Sequence, residues 1–444
     1  MLKKLILSAL ILMTAVLVFA SGFSLAKQID LEAVIDNTSV SGRFDVYPWW
    51  TAGGEREAID TAIAVFEERY PNLKVVSNAV PGGAGGAMVM KVQVLALTGN
   101  SPESFQAHPG LEIEPYYDAD MLLDLTDLWH YADLDNRILP SIAQFSQFEG
   151  RYFLIPIGIH KTNMVWYNIH MFKEYGVEPP EEPVTWEASI ALCEELSQKL
   201  PKGKYPLDLG DRRGWPATHT FETLMIGTDP QIYEDFINGK ATVEQVELVL
   251  ERFSEFMKYV APDHSARLWY ESAGRLVAGD YAMYLQGSWM QAYFTSLGWE
   301  YGVDYGAFSA PGTSDYFGVS IDGFVVPASS RGVENGVRWA YMITDPKLQI
   351  EFSKAKESIS PYSDTPPDIY DELSYLFYQQ LHDENIKIYP SCAHGTALPW
   401  MATTDLHSRI SDFATTSNPD VTRYARLITQ SLKEAGVRGH WEIK

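Results

Sequence analysis

Three tryptophans lie at positions that favour loops rather than the buried faces of helices. The chain holds 12 Trp and 25 Tyr. Trp50 follows a short strand-like segment, Trp269 precedes a predicted helix, and Trp289 lies in a Gly-Ser-Trp turn. Aromatic rings cover the C–H face of a pyranose with little loss of side-chain entropy. A single Trp is more often part of the core, but the three together favour a carbohydrate site.

Sugar hydroxyls need polar partners as well. Carboxylates, amides and imidazoles bond one or two hydroxyls each, and charged acceptors form the stronger bonds. Residues of these types lie at predicted strand ends and in loops. Each one taken alone also fits a solvated or capping role, as Glu55 does at a helix N-terminus. The candidates are Glu55, Gln106, His108, Asp322 and His394.

The segment Pro81–Gly86 reads PGGAGG and precedes a predicted helix. A glycine-rich loop at a helix N-terminus can hold a phosphate. This one lacks the Gly-Lys-Ser/Thr ending of a phosphate-binding loop. The favoured interpretation is a loop whose missing side chains let a ligand approach the backbone.

The sequence contains no nucleophile motif of the GxSxG type and no recognisable Cys–His arrangement. The ten histidines are scattered and include no HExxH pair, so no metal or other cofactor is predicted. The 58 acidic residues leave a carboxylate pair for glycoside cleavage open, with Glu55 and Asp322 as one such pair. A disulfide between Cys193 and Cys392 also stays open, because sequence does not set their distance.

The N-terminus has the three-part pattern of an export signal. Lys3 and Lys4 precede the run Leu5–Ala20, which is apolar except for one Ser and one Thr. The run is short for a membrane span, which takes about 20 apolar residues. We therefore predict a signal peptide over residues 1–26, with cleavage after Ala26 or after Ala20; an uncleaved membrane anchor is the alternative. No cysteine lies near the cleavage region, so a periplasmic protein without a lipid anchor is expected.

Charge and length limit the function further. Loss of residues 1–26 removes two lysines and no acid, which changes the net charge from −24 to −26. Such acidity argues against binding to nucleic acid or to anionic membrane surfaces, since both select basic patches. The remaining 418 residues are enough for two or more lobes.

Short strands and amphipathic helices alternate from Gly42 onward, which predicts a mostly parallel sheet with covering helices. In such sheets ligands bind beyond the strand ends. A second α/β region is predicted after Gly150. The first region is predicted as strand Arg43–Tyr47, helix Glu55–Tyr70, strand Leu73–Asn78, helix Ala87–Leu97 and strand Glu103–Ala107. The second has extended segments Arg151–Ile159, Val165–Tyr167 and Gly318–Val326, and helices Trp186–Leu200, Val243–Tyr259, Glu271–Ala278, Val333–Ile343, Pro346–Ala355 and Thr422–Ala435.

Four stretches of the chain together match one family pattern. They are Ala64–Val76 (AVFEERYPNLKVV), Val94–His108 (VLALTGNSPESFQAH), Ala278–Trp289 (AGDYAMYLQGSW) and the region Gly323–Asp364. In these the chain resembles the extracellular solute-binding proteins that serve sugar ABC importers. The stretches WWTAGGE and FQAHPG resemble the glucose/galactose-binding branch most. At Glu103 the family usually has Asp.

The resemblance implies an α/β, two-lobed periplasmic binding protein fold with a hinge of three crossings and the ligand in the interlobe cleft. We place the crossings near Pro156, Tyr305 and Val325. The N-terminal lobe is then residues 27–156 plus 305–325, and the C-terminal lobe residues 157–304 plus 326–444. The implied ligand residues are Trp50, Glu55, Gln106, His108, Trp269, Trp289, Asp322 and His394, together with Gly83 and Lys161.

The function implied is non-catalytic capture of a monosaccharide, glucose or galactose, by hinge closure. The closed, monomeric protein would then deliver the sugar to permease subunits in the membrane. Three alternatives stay open: a binding protein for a disaccharide or another polyol, a secreted glycoside hydrolase, and a structural protein of the cell envelope.

Overall fold

The computed structural model describes residues 29–51, 53–80, 86–437 and 441. The chain divides into two compact units, residues 1–37 and residues 38–444. The described part of the first unit contains helix α1 (Leu31–Asp36), whose N-terminus is capped by the Asp30 side chain through the amide of Ala33. The predicted signal peptide and Gly83 lie outside the described residues.

Strands and helices alternate through the described part of the second unit. Its strands are β1 (Gly42–Tyr47), β2 (Leu73–Ser77), β3 (Ser104–Ala107), β4 (Gln147–Phe148), β5 (Arg151–Tyr152), β6 (Ile155–Lys161), β7 (Met164–Asn168), β8 (Tyr205–Asp208), β9 (Tyr281–Gln286), β10 (Tyr305–Ser309), β11 (Tyr316–Val325) and β12 (Lys387–Pro390). Its helices are α2 (Gly53–Arg69), α3 (Gly86–Leu97), α4 (Glu114–Asp118), α5 (Thr126–Tyr131), α6 (Leu134–Arg137), α7 (Pro140–Ala143), α8 (Ile169–Tyr175), α9 (Trp186–Lys199), α10 (Trp215–Thr228), α11 (Pro230–Ile237), α12 (Val243–Met257), α13 (Trp269–Val277), α14 (Met290–Ser296), α15 (Val333–Ile343), α16 (Pro346–Lys356), α17 (Glu372–Leu381), α18 (Trp400–Thr415) and α19 (Val421–Glu434).

The strands form two main sheets. In the larger, β1 pairs in parallel with β2 and β3, and β11 runs antiparallel to β3 and β6 and parallel to β12. In the smaller, β7 is antiparallel to both β10 and β9, and β8 is parallel to β9. The prediction of a mostly parallel sheet is right for β1, β2 and β3, from which it was made. For the smaller sheet no strand direction was predicted, and β10 and β9 flank β7 in the opposite direction.

The chain moves from the larger sheet to the smaller between β6 and β7 and returns between β10 and β11. β11 then crosses the larger sheet as its longest strand, with all residues but Tyr316 buried. Sheet pairing places β6 with the larger sheet and β10 with the smaller. The lobe boundaries drawn from the sequence stay a prediction, because pairing defines sheets and not rigid bodies.

Local sequence signals explain many of the helix ends. Thr185 and Thr242 cap α9 and α12 through their hydroxyl oxygens, and Asp345 caps α16 ahead of a proline in the first turn. Helix α12 buries Val246, Val249, Leu250, Phe253 and Phe256, the spacing of one helical face. That face packs into the core around the smaller sheet.

The two cysteines are free and buried. Cys193 lies in α9, and Cys392 lies in the turn that follows β12. Within the described ranges, no helix is long and apolar enough to cross a membrane.

Candidate functional site

A pocket of about 360 Å³, counting space that opens to solvent, lies beyond the strand ends of the larger sheet. We call it the strand-end pocket. The loops after β1, β3, β9 and β12 reach it, and β6 and β11 form part of its wall. Its lining residues are Trp49, Trp50, Glu55, His108, His160, Trp215, Trp269, Trp289, Ser320, Asp322, Lys356 and His394.

Asp322 is the central carboxylate of the pocket and is 6 % exposed. A bulge between Asp322 and Gly323 shifts the pairing of β11 with β6, and bulges commonly redirect a side chain at a site. Its Oδ1 accepts a 2.9 Å hydrogen bond from Gln106 Nε2. Gln106 Oε1 in turn accepts from the amide of Trp49 at 3.0 Å. Gln106 therefore orients both the carboxylate and the loop after β1 from behind the pocket.

Two histidines lie close to the carboxylate of Asp322, each nearest to a different oxygen. The Nε2 atoms of His108 and His160 lie 4.0 and 3.9 Å from its oxygens. Burial opposes a charge on His108, but the 2.7 Å contact with Glu112 and the nearby Asp322 raise its pKa overall. Burial lowers the pKa of His160 well below the usual value, and Lys356 and His108 lower it further. The pair therefore offers one readily charged and one neutral imidazole.

Glu55 and Lys356 form an ion pair at the pocket wall, with Nζ and Oε1 3.3 Å apart. The lysine side chain is 1 % exposed and the glutamate 15 %. Burial raises the pKa of Glu55, Lys356 lowers it and Asp322 raises it again, with a net increase. Lys356 Nζ also lies 5.6 Å from the ring centroid of Trp50. The pair gives the pocket a partly buried acceptor beside a buried donor.

Trp289 is at the centre of a cluster of aromatic and imidazole rings in the pocket lining. Its ring lies 5.2 Å from His394 and 6.0 Å from Trp215, centroid to centroid. The ring folds back over Gly287, where an added Cβ would lie 2.3 Å from it. A glycine is thus needed at that position of the turn. Trp269 opens helix α13 and packs edge-on against Tyr293.

His394 lies in the turn after β12, which Glu222 of α10 anchors. The carboxylate accepts from the amides of Cys392 and Ala393 at 2.8 and 2.9 Å and from the hydroxyl of Ser391. The hydroxyl also lies 2.8 Å from His394 Nδ1. This turn reaches the loop after β3, where the rings of His108 and His394 lie 5.4 Å apart.

His219, Glu222 and His394 form a group whose potential metal-ligand atoms all lie within 4.8 Å of one another. The shape alone suits a cation. However, Glu222 already accepts hydrogen bonds from one hydroxyl and two amides, and the Ser391 hydroxyl bridges Glu222 and His394. These hydrogen-bond donors surround the carboxylate and explain its position without a bound ion.

The structure brings most of the sequence-predicted site residues together. Gln106 lies one layer behind the pocket, Lys161 is fully buried and bonds Gln380 instead of lining it, and Gly83 lies outside the described residues. The predicted residues that line the pocket are Trp50, Glu55, His108, Trp269, Trp289, Asp322 and His394. Sequence reasoning missed Trp49, His160, Trp215, Ser320 and Lys356.

Two of the missed residues carried a usable signal. Trp49 is adjacent to Trp50, and His160 stands near the end of an apolar strand-like run. Trp215 and Lys356 carried none, because each reaches the pocket from a helix end far away in sequence.

The fold is that of the two-lobed periplasmic binding proteins, as predicted. The solved structure of AcbH, a bacterial solute receptor with an exclusive preference for β-D-galactopyranose, superposes with a TM-score of 0.76. The match covers 90% of this chain and 100% of AcbH at 17% identity. At that identity the likeness shows the fold alone.

Sequence comparison gives the family. A model of the bacterial extracellular solute-binding proteins matches residues 50–349. An uncharacterized ABC transporter extracellular-binding protein of Pyrococcus horikoshii is 36% identical over 438 residues, which cover 97% of each chain. The glucose-binding protein GlcS of Saccharolobus solfataricus is 24% identical over 262 residues, 56% of this chain and 46% of GlcS. The chain belongs to the bacterial extracellular solute-binding protein family.

Proposed function

We propose that the strand-end pocket binds one hexose, with D-glucose as the first candidate ligand and D-galactose as the second. The observation that carries the proposal is the composition of the pocket wall. Five tryptophans that are 0 to 6 % exposed surround acceptors and donors: Trp49, Trp50, Trp215, Trp269 and Trp289. Indole faces suit the C–H surface of a pyranose, and the polar groups suit the hydroxyls at its edge.

The burial of the pocket lining supports a small ligand such as a single sugar ring. His108, Trp289 and His394 are each at most 6 % exposed, so the lining side chains are largely withdrawn from solvent. The similarity to GlcS is a further, weaker support for glucose.

Contacts between groups attached to the two sheets support capture by closure. The hydroxyl of Ser288, after β9 of the smaller sheet, lies 2.9 Å from His160 Nδ1 in β6 of the larger sheet. A sugar that touches both sides favours the closed form by its additional contacts. We propose that the closed form, as a monomer, docks on permease subunits of an ABC importer and that no covalent chemistry occurs.

A thermal-shift screen tests the proposal. Residues 27–444 are heated with hexoses, pentoses and disaccharides, since a ligand of the native state raises the melting temperature as its concentration exceeds Kd. We expect glucose or galactose to give the largest shift. A larger shift with a disaccharide would replace the proposal with an oligosaccharide receptor, and release of nitrophenol from aryl glycosides would replace it with a hydrolase.

A further inference from the structure

The turn that carries His394 is held at its backbone as well as at its side chains. Tyr233 donates its hydroxyl to the carbonyl of Pro390 at 2.6 Å, and the His407 ring nitrogen Nε2 lies 2.9 Å from the carbonyl of Ala393. Glu222, which is 1 % exposed, accepts from the amides of Cys392 and Ala393. The ring of His394 is therefore presented to the strand-end pocket by a turn with little freedom.

Counting protons in this network fixes the direction of each bond. Both backbone amides donate to Glu222 Oε2, so that carboxylate acts as an acceptor. The single hydroxyl proton of Ser391 points to Glu222, whose oxygens lie 2.7 and 3.0 Å away. The hydroxyl oxygen then accepts from the amide of His394 at 3.1 Å, and its remaining lone pair faces Nδ1 at 2.8 Å. With Glu222 ionised, Nδ1 therefore carries the proton; burial raises the pKa of that carboxyl despite the hydrogen bonds from Ala393, Ser391 and Cys392.

The protonation state of the other ring nitrogen, Nε2, then depends on whether the imidazole is charged or neutral. Burial lowers the pKa of His394 well below the usual value, and His108, His219, His407 and His160 lower it further. The ring is neutral near pH 7, so Nε2 carries a lone pair. Among the described residues no hydrogen bond involves Nε2, and the ring lines the pocket. Nε2 is thus an acceptor presented to the ligand.

We infer that Glu222 and Ser391 are positioning residues that hold the His394 proton on Nδ1, so that Nε2 accepts a hydrogen bond from one ligand hydroxyl. The inference rests on the proposed function, because it assigns a specificity to the same pocket. A sugar with fluorine at that hydroxyl position has no proton to donate and meets the Nε2 lone pair. Loss of a hydrogen bond to a site that stays unpaired is expected to weaken binding by about tenfold or more.

The Glu222→Gln substitution reverses the direction of the hydrogen bonds through Ser391 while keeping a partner for each group. The amide oxygen of Gln can accept from the two backbone amides, while its NH₂ group donates to Ser391. Ser391 then gives its proton to His394 Nδ1, and the ring proton moves to Nε2. A hydroxyl can still accept from Nε2–H, so binding of the parent sugar is expected to fall only about three- to tenfold. The penalty for fluorine at the facing position should shrink, because fluorine no longer meets a lone pair.

Two measurements test the inference, and the first needs no sugar. Nitrogen-15 NMR of the ligand-free protein, with His394 assigned by a His394→Gln difference spectrum, reports the tautomer. We expect Nδ1–H in the wild type and Nε2–H in Glu222→Gln. An Nε2–H wild type, or the same tautomer in both proteins, overturns the inference even when the proposed hexose does not bind.

The second measurement is calorimetric titration with glucose and its 2-, 3-, 4- and 6-fluoro analogues. We expect one fluorine position to lose about tenfold or more in the wild type, and that loss to shrink at least threefold in Glu222→Gln and Ser391→Ala. Ser391→Thr, which keeps the hydroxyl, should restore the full loss of affinity caused by fluorine. Ser360→Ala removes a buried hydroxyl bonded to Gln349 outside the pocket. This control should change neither the affinity for glucose nor the loss caused by fluorine. If a folded Ser391→Ala protein shows the same loss of affinity with the fluoro sugar as the wild type, the inference is overturned. This variant decides the test if Glu222→Gln does not fold.

Discussion

Gly54 of α2 and Ala292 of α14 lie in close contact, and a Cβ at position 54 would lie 2.5 Å from the Cβ of Ala292. Helix α2 belongs to the larger sheet through its packing on β2, and α14 follows β9 of the smaller sheet. The close approach of the two helices therefore depends on a residue without a side chain.

Gly54→Val is expected to weaken hexose binding at least tenfold, because the added side chain keeps the two helices apart in the closed form. The melting temperature of the ligand-free protein should change little, since the open form avoids the clash. Titration calorimetry with glucose measures the first effect. Ala64→Val, at an exposed position of the same helix, is the control for helix propensity. Wild-type affinity in Gly54→Val would show that closure does not bring these helices together.

The Glu55–Lys356 pair is expected to support both stability and binding. Lys356→Met leaves the carboxylate buried without its partner, which costs about 3 kcal/mol for a pair of this burial. Urea unfolding measures that loss. The double variant with Glu55→Gln should regain most of the stability, since no buried charge remains, yet still bind at least tenfold more weakly. Recovery of both quantities would mean that the pair has a structural role alone.

Trp269 and Trp289 are expected to contact the ligand and to change their fluorescence when it binds. Alanine at either position should reduce both the affinity and the sugar-induced change in tryptophan fluorescence, because each ring covers part of the pocket. Trp129 is the matched control: it is fully buried and stacks on Tyr152 at 3.8 Å, and Trp129→Phe should alter stability without altering Kd. Trp269 and Trp289 variants that lose stability and keep wild-type affinity would place these rings in the core.

Asp211 predicts a pH dependence of stability. The carboxyl is 2 % exposed, and burial raises its pKa from 3.8 to about 6 despite hydrogen bonds from Ser411 and Ala217. The folded state therefore binds the proton more tightly than the unfolded state, and stability falls as the pH rises through 6. Between pH 5 and 7.5 the group should change the free energy of unfolding by about 1 kcal/mol.

Asp211→Asn removes this titration, so the wild type should gain about 1 kcal/mol more than the variant when the pH falls from 7.5 to 5. Urea unfolding of both proteins at the two pH values measures the difference. An identical pH dependence would mean that Asp211 is already ionised at pH 5.

The predictable part of the fold is the part with a clear hydrophobic period. Helix α15 has the predicted bounds, Val333–Ile343, and α9 ends one residue before its predicted end. Helix α10 was not predicted. Every residue from Trp215 to Ile226 is buried, so no polar face reveals the helical period. Because this helix carries Trp215, His219 and Glu222, one side of the site was missed with it.

The predictable part of the site is local in sequence. Trp50, His108 and Trp289 follow strands, where loops of an α/β protein meet a ligand. Lys356 ends a helix, where a lysine ordinarily favours the helix dipole and signals nothing more. Its partner Glu55 is 301 residues away, and pairing at that distance appears only in the folded chain.

The most direct test of the central claim is calorimetric titration of residues 27–444 with D-glucose, D-galactose and maltose, alongside the Asp322→Asn variant. One hexose per chain should bind at least tenfold more tightly than maltose. Asp322→Asn should weaken that binding at least tenfold, because the central carboxylate loses its charge and one acceptor. No heat from any hexose, or tighter binding of maltose, or an Asp322→Asn protein with wild-type affinity would contradict the assignment of the strand-end pocket as a hexose site.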